Sequence, residues 1–511
     1  MNKKWVLSLF RRRVTIIILL LVQISLFLYF LMSSSKTSSV ISVVLSAVSF
    51  FVVLYIISKK DKGAYKLIWM LLILSFPIFG GVLYLIFNFQ TSSRVLHKKI
   101  TEIEQETREL FYLPGVANED AQKSIPQYVT QIDYLQNTAG FPIYTGSVAK
   151  YLSPGEAKFE TLLEELEKAE KYIFLEYFIV QEGNMWDTIL EVLKRKVSEG
   201  VKVRLMYDDM GCFLLLPEDY PKQLEKYGIE CVVFNKFRPF LTSVQNNRDH
   251  RKIVSIDGKV AFTGGINLAD EYINAIEKHG HWKDSAVMVK GKAAWSFTLM
   301  FLQMWKLNTG INEDFNEYYP WKNAECTEKT DGFVQPYADS PMDRENVGEH
   351  VYLQIINSAR EYVYICTPYL IIDDSMVSAL TLASKSGVDV RIITPHKWDK
   401  RFVHITTRSY YRELINAGVK IYEYSKGFVH SKTVLSDGKV ATVGTANMDF
   451  RSLYLNFECG VRMYGTSAIA DMEEDFKNTM SVSRQITEDD CKCGFFKRII
   501  QEVLRVFAPL M

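Results

Sequence analysis

The sequence predicts an α/β protein: two duplicated lobes packed as a pseudo-dimer, preceded by N-terminal transmembrane helices. Three observations predict it. First, His250-Arg251-Lys252, four residues, Asp257, then Gly264, Gly265 and Asn267 recur as His430-Ser431-Lys432, four residues, Asp437, then Gly444, Thr445 and Asn447. Every matching position is displaced by 180 residues without insertion. Second, strand-like and helix-like segments alternate in the same order around both copies. Third, three apolar runs crowd the first ninety residues.

Residues 14–32 (VTIIILLLVQISLFLYFLM) carry no charge over nineteen positions. That is long enough to cross about 30 Å of hydrocarbon as a helix. Residues 40–57 and 67–87 are two further runs, so spans are a better reading than one buried core helix. A cleaved signal peptide fits poorly, because the first run is long, lacks a small-residue cleavage site and is followed by more spans. Lys3, Lys4, Arg11, Arg12 and Arg13 precede the first run, and Lys59, Lys60, Lys62 and Lys66 lie between the second and third. The positive-inside rule makes both faces cytoplasmic. Three complete spans would then export the remainder, whereas Arg94, Lys98, Lys99 and the unpaired cysteines beyond point to the cytoplasm. Pro77 and Gly80-Gly81 allow a bent or re-entrant third segment. The sequence leaves open two or three transmembrane helices and the side the lobes face.

Residues 88 to about 135 show little periodicity and read as a juxtamembrane connector. Ser153-Pro154-Gly155-Glu156 is a capping-box pattern ahead of Phe159, Leu162, Leu163 and Leu166 at helical spacing. The strand Tyr172-Ile173-Phe174-Leu175, a helix over 186–197 stopped at Gly200, and a strand over 201–207 follow. A largely parallel sheet is the expectation. The second lobe repeats the scheme with a helix over 347–359, the strand 362–365, a helix to Ser386 and the strand 388–393. Pro320, Gly332, Pro336 and Pro341 make residues 320–340 the expected linker. At the end Phe495, Phe496, Ile499, Ile500, Val503, Leu504 and Phe507 oppose Lys497, Arg498 and Arg505, a helix either docked on the body or lying in a membrane interface. The predicted organisation is a membrane-spanning region at 1–90, a connector at 91–135, lobes at 136–325 and 326–490, and a C-terminal amphipathic helix at 491–511.

Composition narrows the function. The 511 residues hold 60 Lys and Arg against 59 Asp and Glu, a net charge of +1, without the basic stripe of a nucleic-acid binder. Seven scattered cysteines without C-x-x-C spacing argue against a disulfide framework or a zinc knuckle. His279 and His281 are spaced i, i+2 without a third ligand nearby, which is poor metal chemistry. Asp208-Asp209 reads as a strand-end turn, not a magnesium site.

In each motif copy, strand alternation puts His and Lys on one face and Arg251 on the other. Asp257-Gly258 and Asp437-Gly438 then introduce a second apolar strand, the pattern of a hairpin. His250, Lys252, Asp257, His430, Lys432 and Asp437 are the candidate catalytic set. Within it, the D-G dipeptides favour a supporting role for the two aspartates. What remains is two His, two Lys and two Asn, with glycines that let backbone amides approach a ligand. The set suits a phosphodiester: Lys and Asn hold the non-bridging oxygens, one imidazole attacks phosphorus and the other protonates the leaving alkoxide. No metal is required for that chemistry.

The double H-x-K-x4-D pattern resembles the phospholipase D superfamily, and within it the bacterial cardiolipin synthases. Further stretches carry the closer resemblance: Leu175-Glu176-Tyr177-Phe178, Asn246 to Lys252, Gly264-Gly265-Ile266-Asn267, Gly280-His281-Trp282-Lys283-Asp284, Arg408-Ser409-Tyr410-Tyr411, Asp449-Phe450-Arg451-Ser452-Leu453, Leu455-Asn456-Phe457-Glu458 and the Ala508-Pro509-Leu510 ending. Three apolar segments, where many members show two, are the main departure. The resemblance implies two phospholipase D-like lobes and a metal-independent, cofactor-free double displacement on phosphatidylglycerol in a bacterial cell membrane, giving cardiolipin and glycerol. His250 would form a phosphatidyl-histidine while His430 protonates the departing glycerol, an order taken from the family because the two copies are nearly symmetric. Lys252 and Lys432, with Asn267, Asn447, Gly265 and Thr445, would bind the substrate. Glu458 and Asp284 stand where acids orienting the histidines could come from, with surface salt bridging as the alternative for Asp284. A phospholipase D type hydrolase, a transferase using another lipid or alcohol, and an inactive membrane scaffold are the competing readings. Nucleic acid is not an expected partner.

Overall fold

A computed structural model describes residues 36–59, 62–75, 80–81, 84–85, 91–237, 246–343 and 345–510. The first lobe supplies β1 (Ser147–Leu152), β2 (Tyr172–Tyr177), β3 (Lys202–Asp208), β4 (Glu230–Phe234), β5 (Arg248–Asp249), β6 (Ile253–Ile256), β7 (Val260–Gly264), β8 (His281–Lys283) and β9 (Ala286–Gly291). Seven of these form a sheet in the order β1-β9-β7-β6-β2-β3-β4. Only β2-β3 and β3-β4 are parallel. The other neighbours are antiparallel, so the largely parallel sheet is confined to one end. The reason is the D-G turn, which folds β6 back on β7 and places an antiparallel hairpin in the middle of the sheet.

The second lobe supplies β10 (Phe333–Asp339), β11 (Tyr362–Cys366), β12 (Leu370–Ile371), β13 (Asp389–Pro395), β14 (Lys420–Tyr424), β15 (Gly427–Val429), β16 (Thr433–Ser436), β17 (Val440–Gly444), β18 (Met448–Asp449), β19 (Asn456–Tyr464) and β20 (Ser483–Ile486). Its sheet runs β10-β19-β17-β16-β11-β13-β14-β20, the same plan with β20 added at one edge. Side chains repeat as well as strands. Asp257 accepts the amides of Glu170, Lys171 and Tyr172, each at 2.8 Å. Asp437 accepts those of Arg360, Glu361 and Tyr362 at 2.8, 2.9 and 2.9 Å. Both aspartates and the glycines after them have positive φ, from 52° to 68°, a conformation Asp tolerates better than most residues and Gly best of all. They tie each hairpin turn to the start of β2 or β11, at the end of the sheet away from the histidines. Tyr172, Phe174 and Phe301 stack in lobe one as Tyr362, Tyr364 and Phe476 do in lobe two.

Helices Gly155–Glu167 and Asn184–Ser198 cover one face of the first sheet through Leu162, Leu166, Ile189 and Leu193. Helices Val347–Ser358 and Asp374–Lys385 do so in the second through Val351, Ile355, Met376 and Leu380. A shared core joins the lobes: Ile253, Ala261, Val287 and Phe297 of lobe one pack with Leu435, Val443, Val461 and Met463 of lobe two. The pseudo-dimer is therefore held by apolar burial along its two-fold seam.

Three local expectations change. The 320–340 linker contains β10, whose buried residues pair with β19; Pro336 is accommodated because β10 is an edge strand. The connector is largely helical, with Thr91–Thr107 packed against the buried helix Ala294–Thr309; Gln303 donates to Thr107 at 2.7 Å and Trp295 to the Leu110 carbonyl at 2.8 Å. Its apolar stripe, Leu96, Ile100 and Ile103, is too narrow to stand out among charged neighbours. Ser153 makes no capping box: its hydroxyl donates to the Asp284 carbonyl at 3.2 Å.

Of the apolar runs, 14–32 lies outside the described residues. The second is a 23-residue helix, Lys36–Ser58, and the third begins as the helix Gly63–Ser75. Among residues whose side chains are described, no helix is long and apolar enough to cross a membrane. The third run is not one straight helix: the rings of Trp69 and Tyr84 are 5.1 Å apart, whereas fifteen helical residues span about 22 Å. Gly80 instead lies against Ile73 and Tyr84 against Trp69, the Gly81 amide donates to Ser49 at 3.2 Å, and Tyr84 lies 5.7 Å from the Lys59 ammonium. Lys62, between the two helices, bonds Glu349 at 2.9 Å and Asp373 at 3.3 Å of lobe two.

Candidate active site

Short strands exchanged between lobes build the site. β5 lies parallel to the start of β19, pairing Arg248 with Asn456 and Asp249 with Phe457, and the His250 amide then donates to the Phe457 carbonyl at 3.0 Å. β15 lies parallel to β8, pairing Phe428 with Trp282 and Val429 with Lys283, and the His430 amide donates to the Lys283 carbonyl at 2.7 Å. In both cases the next residue on the opposite lobe is an acid. His250 Nδ1 sits 2.9 and 3.0 Å from the Glu458 carboxylate oxygens, and His430 Nδ1 sits 2.7 Å from Asp284. The acids are crossed: each lobe's histidine is held by the other lobe's carboxylate. Asp284 is 0% exposed, so it is not a surface salt-bridge partner.

Lys252 donates to the His250 carbonyl at 2.6 Å, and Lys432 makes the matching bond to the His430 carbonyl. Thr445 donates to Glu458 at 2.5 Å. Gly265 packs so closely on Asp284 that a Cβ would stand 2.1 Å from its oxygen. These two residues therefore touch the acids. Asn267 accepts the Ile179 amide at 3.0 Å and donates to the Tyr272 hydroxyl at 2.8 Å, while Asn447 donates to Asp449 at 3.0 Å and keeps a buried carbonyl oxygen without a partner. Phe178 packs on the His250 ring at 5.0 Å, and Trp282 and Tyr272 on His430 at 5.3 and 5.6 Å.

Burial, reinforced by the neighbouring lysines, pushes both imidazoles down to about 4. It also brings Lys252 down to about 8 and Lys432 to about 7. For Glu458 and Asp284 burial acts upward but is outweighed by the facing histidine and lysine, and both stay below the ordinary carboxylate range. At neutral pH both imidazoles are thus neutral, with Nδ1–H donating to a carboxylate and Nε2 left with a lone pair.

Comparison with known proteins identifies the family. A family model described as "Cardiolipin synthase, PLD-like domain" matches residues 162–305 and 352–480, and one described as "Phospholipase_D-nuclease N-terminal" matches 44–87. The chain is 37% identical to a cardiolipin synthase of Alkalihalophilus pseudofirmus over 90% of its length and 92% of that protein. It is 34% identical to one of Geobacillus kaustophilus over 91% and 93%. The chain belongs to the cardiolipin synthase family of phospholipase D-like proteins. The crystal structure of a Haemophilus influenzae phosphatidylserine synthase shares the fold, with a TM-score of 0.54 at 15% identity, covering 73% of this chain and 96% of that one.

In this cardiolipin synthase family member, one group of charges escaped the sequence reading. Glu176, Asp208, Arg248, Asp249 and Arg251 are buried together behind the His250 strand. Arg251 pairs with Glu176 at 2.7 Å and Asp249 at 3.3 Å, and Arg248 with Asp208 at 3.3 Å. Burial raises Glu176 well above the usual carboxylate range, against the opposing pull of the Arg251 guanidinium. A glutamate inside the apolar strand Tyr172–Tyr177 was the available signal. Asp208 caps a strand-end turn through the amides of Met210 and Gly211, as expected. His279 packs on Trp282 and Phe428, and His281 bonds Tyr424 at 3.0 Å.

The depressed values predict proton uptake on binding. A diester anion between the lysines raises His430 from about 4 and Lys432 from about 7, so at pH 7 the complex holds more protons than its parts, and affinity should fall as pH rises. Calorimetry with an unreactive phosphonate diester in buffers of different ionisation enthalpy measures this. Identical heats in all buffers would disprove it.

Proposed function

We propose that this chain is a membrane-anchored phosphatidyltransferase that makes cardiolipin from two phosphatidylglycerols. The crossed pairs His250–Glu458 and His430–Asp284, sharing one buried site with Lys252 and Lys432, carry the reading. Nε2 of His250 attacks phosphorus of the first lipid, the P–O bond to the glycerol headgroup breaks, and His430, protonated at Nε2 as the diester binds, gives that oxygen its proton. Glycerol leaves and a phosphatidyl-histidine remains. His430, now neutral, removes the proton from a headgroup hydroxyl of the second lipid, whose oxygen attacks phosphorus and expels His250 as the neutral imidazole. One diester replaces another, so the chemistry needs no nucleotide or cofactor. The lysines neutralise the equatorial oxygens as charge develops. Asn447, with a free buried carbonyl oxygen, is better placed to meet a headgroup hydroxyl than Asn267, whose side chain is bonded at both ends.

The anchor is read as multi-pass, with the helix Lys36–Ser58 as a crossing segment. Val43, Phe50, Phe51 and Leu74 are exposed as lipid-facing residues would be. Lys62 lies on the catalytic body, so the lobes share the face of the basic loop, the cytoplasmic one by the positive-inside rule. The deciding experiment supplies purified protein with phosphatidylglycerol alone and a metal chelator. Cardiolipin and glycerol in equal amounts are expected; phosphatidic acid as the sole product would replace this reading with hydrolysis.

A further inference from the structure

We propose that the helix Phe495–Val506 lies in the headgroup layer of an anionic bilayer, beside the N-terminal anchor, and holds the catalytic body against the lipid. This rests on the membrane-anchored reading above. A surface helix ordinarily buries its apolar stripe and shows water its polar face. This one is reversed. Phe495, Phe496, Ile499, Ile500 and Val503 are 73, 80, 43, 52 and 49% exposed, and their spacing gathers them on one side. The opposite side does the docking: Arg505 donates to Glu413 at 2.6 Å and lies 4.3 Å from the Tyr410 ring, both on the helix Arg401–Asn416.

The end of the helix fixes what covers the apolar side. Residues Ala508–Leu510 pack against the helix Gly63–Ser75 and against Phe450–Tyr454. Beside them Lys62 bonds Glu349 and Asp373, and the Tyr65 ring meets Phe450 and Tyr454 at 6.1 and 6.3 Å. The C-terminal end of the helix thus lies where the anchor meets the body. Lys497 and Arg498, both exposed near the start of the helix, suit anionic headgroups.

The test uses the full chain in vesicles of phosphatidylglycerol and phosphatidylcholine, with a benzophenone amino acid at Phe496 or, as control, at Gln501 on the polar side. Alkaline carbonate extraction is run first; release of the chain there sinks the anchoring reading itself. With the chain retained, lipid adducts at position 496 well above those at 501 are expected. Chain-to-chain adducts at 496, or equal lipid labelling at both positions, would overturn the helix proposal alone. As a second readout, Phe496→Asp with Ile500→Asp should lower turnover on vesicles about tenfold, the equivalent of about 1.4 kcal/mol of lost interfacial binding. Turnover on short-chain phosphatidylglycerol in micelles should be unchanged. An equal loss on both substrates would mean a structural role, and no loss on either would also reject the proposal.

Discussion

His430→Ala should lower cardiolipin formation by about 10²–10⁴-fold, the usual contribution of a positioned acid and base, while leaving the nucleophile intact. The two histidines have near-identical surroundings, each with a carboxylate on Nδ1 and a lysine on its carbonyl, so loss of activity alone cannot distinguish their roles. A substrate whose leaving group needs no proton can. With a nitrophenyl phosphatidyl ester, His430→Ala should release one equivalent of nitrophenol in a burst and stall, with the lipid attached to His250 by mass spectrometry. His250→Ala should give no burst and no adduct. The opposite pattern, an adduct on His430 in the His250→Ala protein, would reverse the order of the two steps and leave the crossed pairs untouched.

Arg251→Met should cost about 3–5 kcal/mol of stability, the scale on which removing one partner of a buried ion pair destabilises a protein. Arg251 is 3% exposed and is the partner of Glu176 and of Asp249, both 0% exposed. Without it the Asp249 carboxylate keeps only its bonds within the motif. The same change should reduce activity, because Arg248 and Asp249 form the strand that aligns His250 with Glu458. Adding Glu176→Leu should restore part of the stability, since an uncharged side chain then fills the gap. Urea unfolding of the two variants in detergent is the measurement. A loss under 1 kcal/mol for Arg251→Met would show the cluster to be water-filled or already neutral.

Much of the fold was legible because it was written twice. The 180-residue displacement identified the lobes, and the D-G dipeptides located hairpins that the strands then form. The mixed direction of the sheets was available in those hairpins but was outweighed by the alternating strands and helices around them. β10 was hidden by Pro336, which is unusual in a strand and acceptable only at an edge, a position that depends on the assembled sheet. The connector helix was hidden because its apolar stripe is narrow and its partner, Ala294–Thr309, lies two hundred residues away. At the site, the motif revealed the histidines and lysines, and the family pattern suggested the acids. Which acid meets which histidine depends on β5 and β8, two- and three-residue strands with no periodicity to read.

The crossing of the acids has a consequence for genetics. A lesion at Glu458, deep in the second half of the coding sequence, should behave like a lesion at His250 in the first half. One at Asp284 should group with His430. Sorting variants by the half they fall in would therefore misassign both. The two halves expressed as separate polypeptides should each be inert, with activity returning only on mixing, because neither half encodes a complete pair.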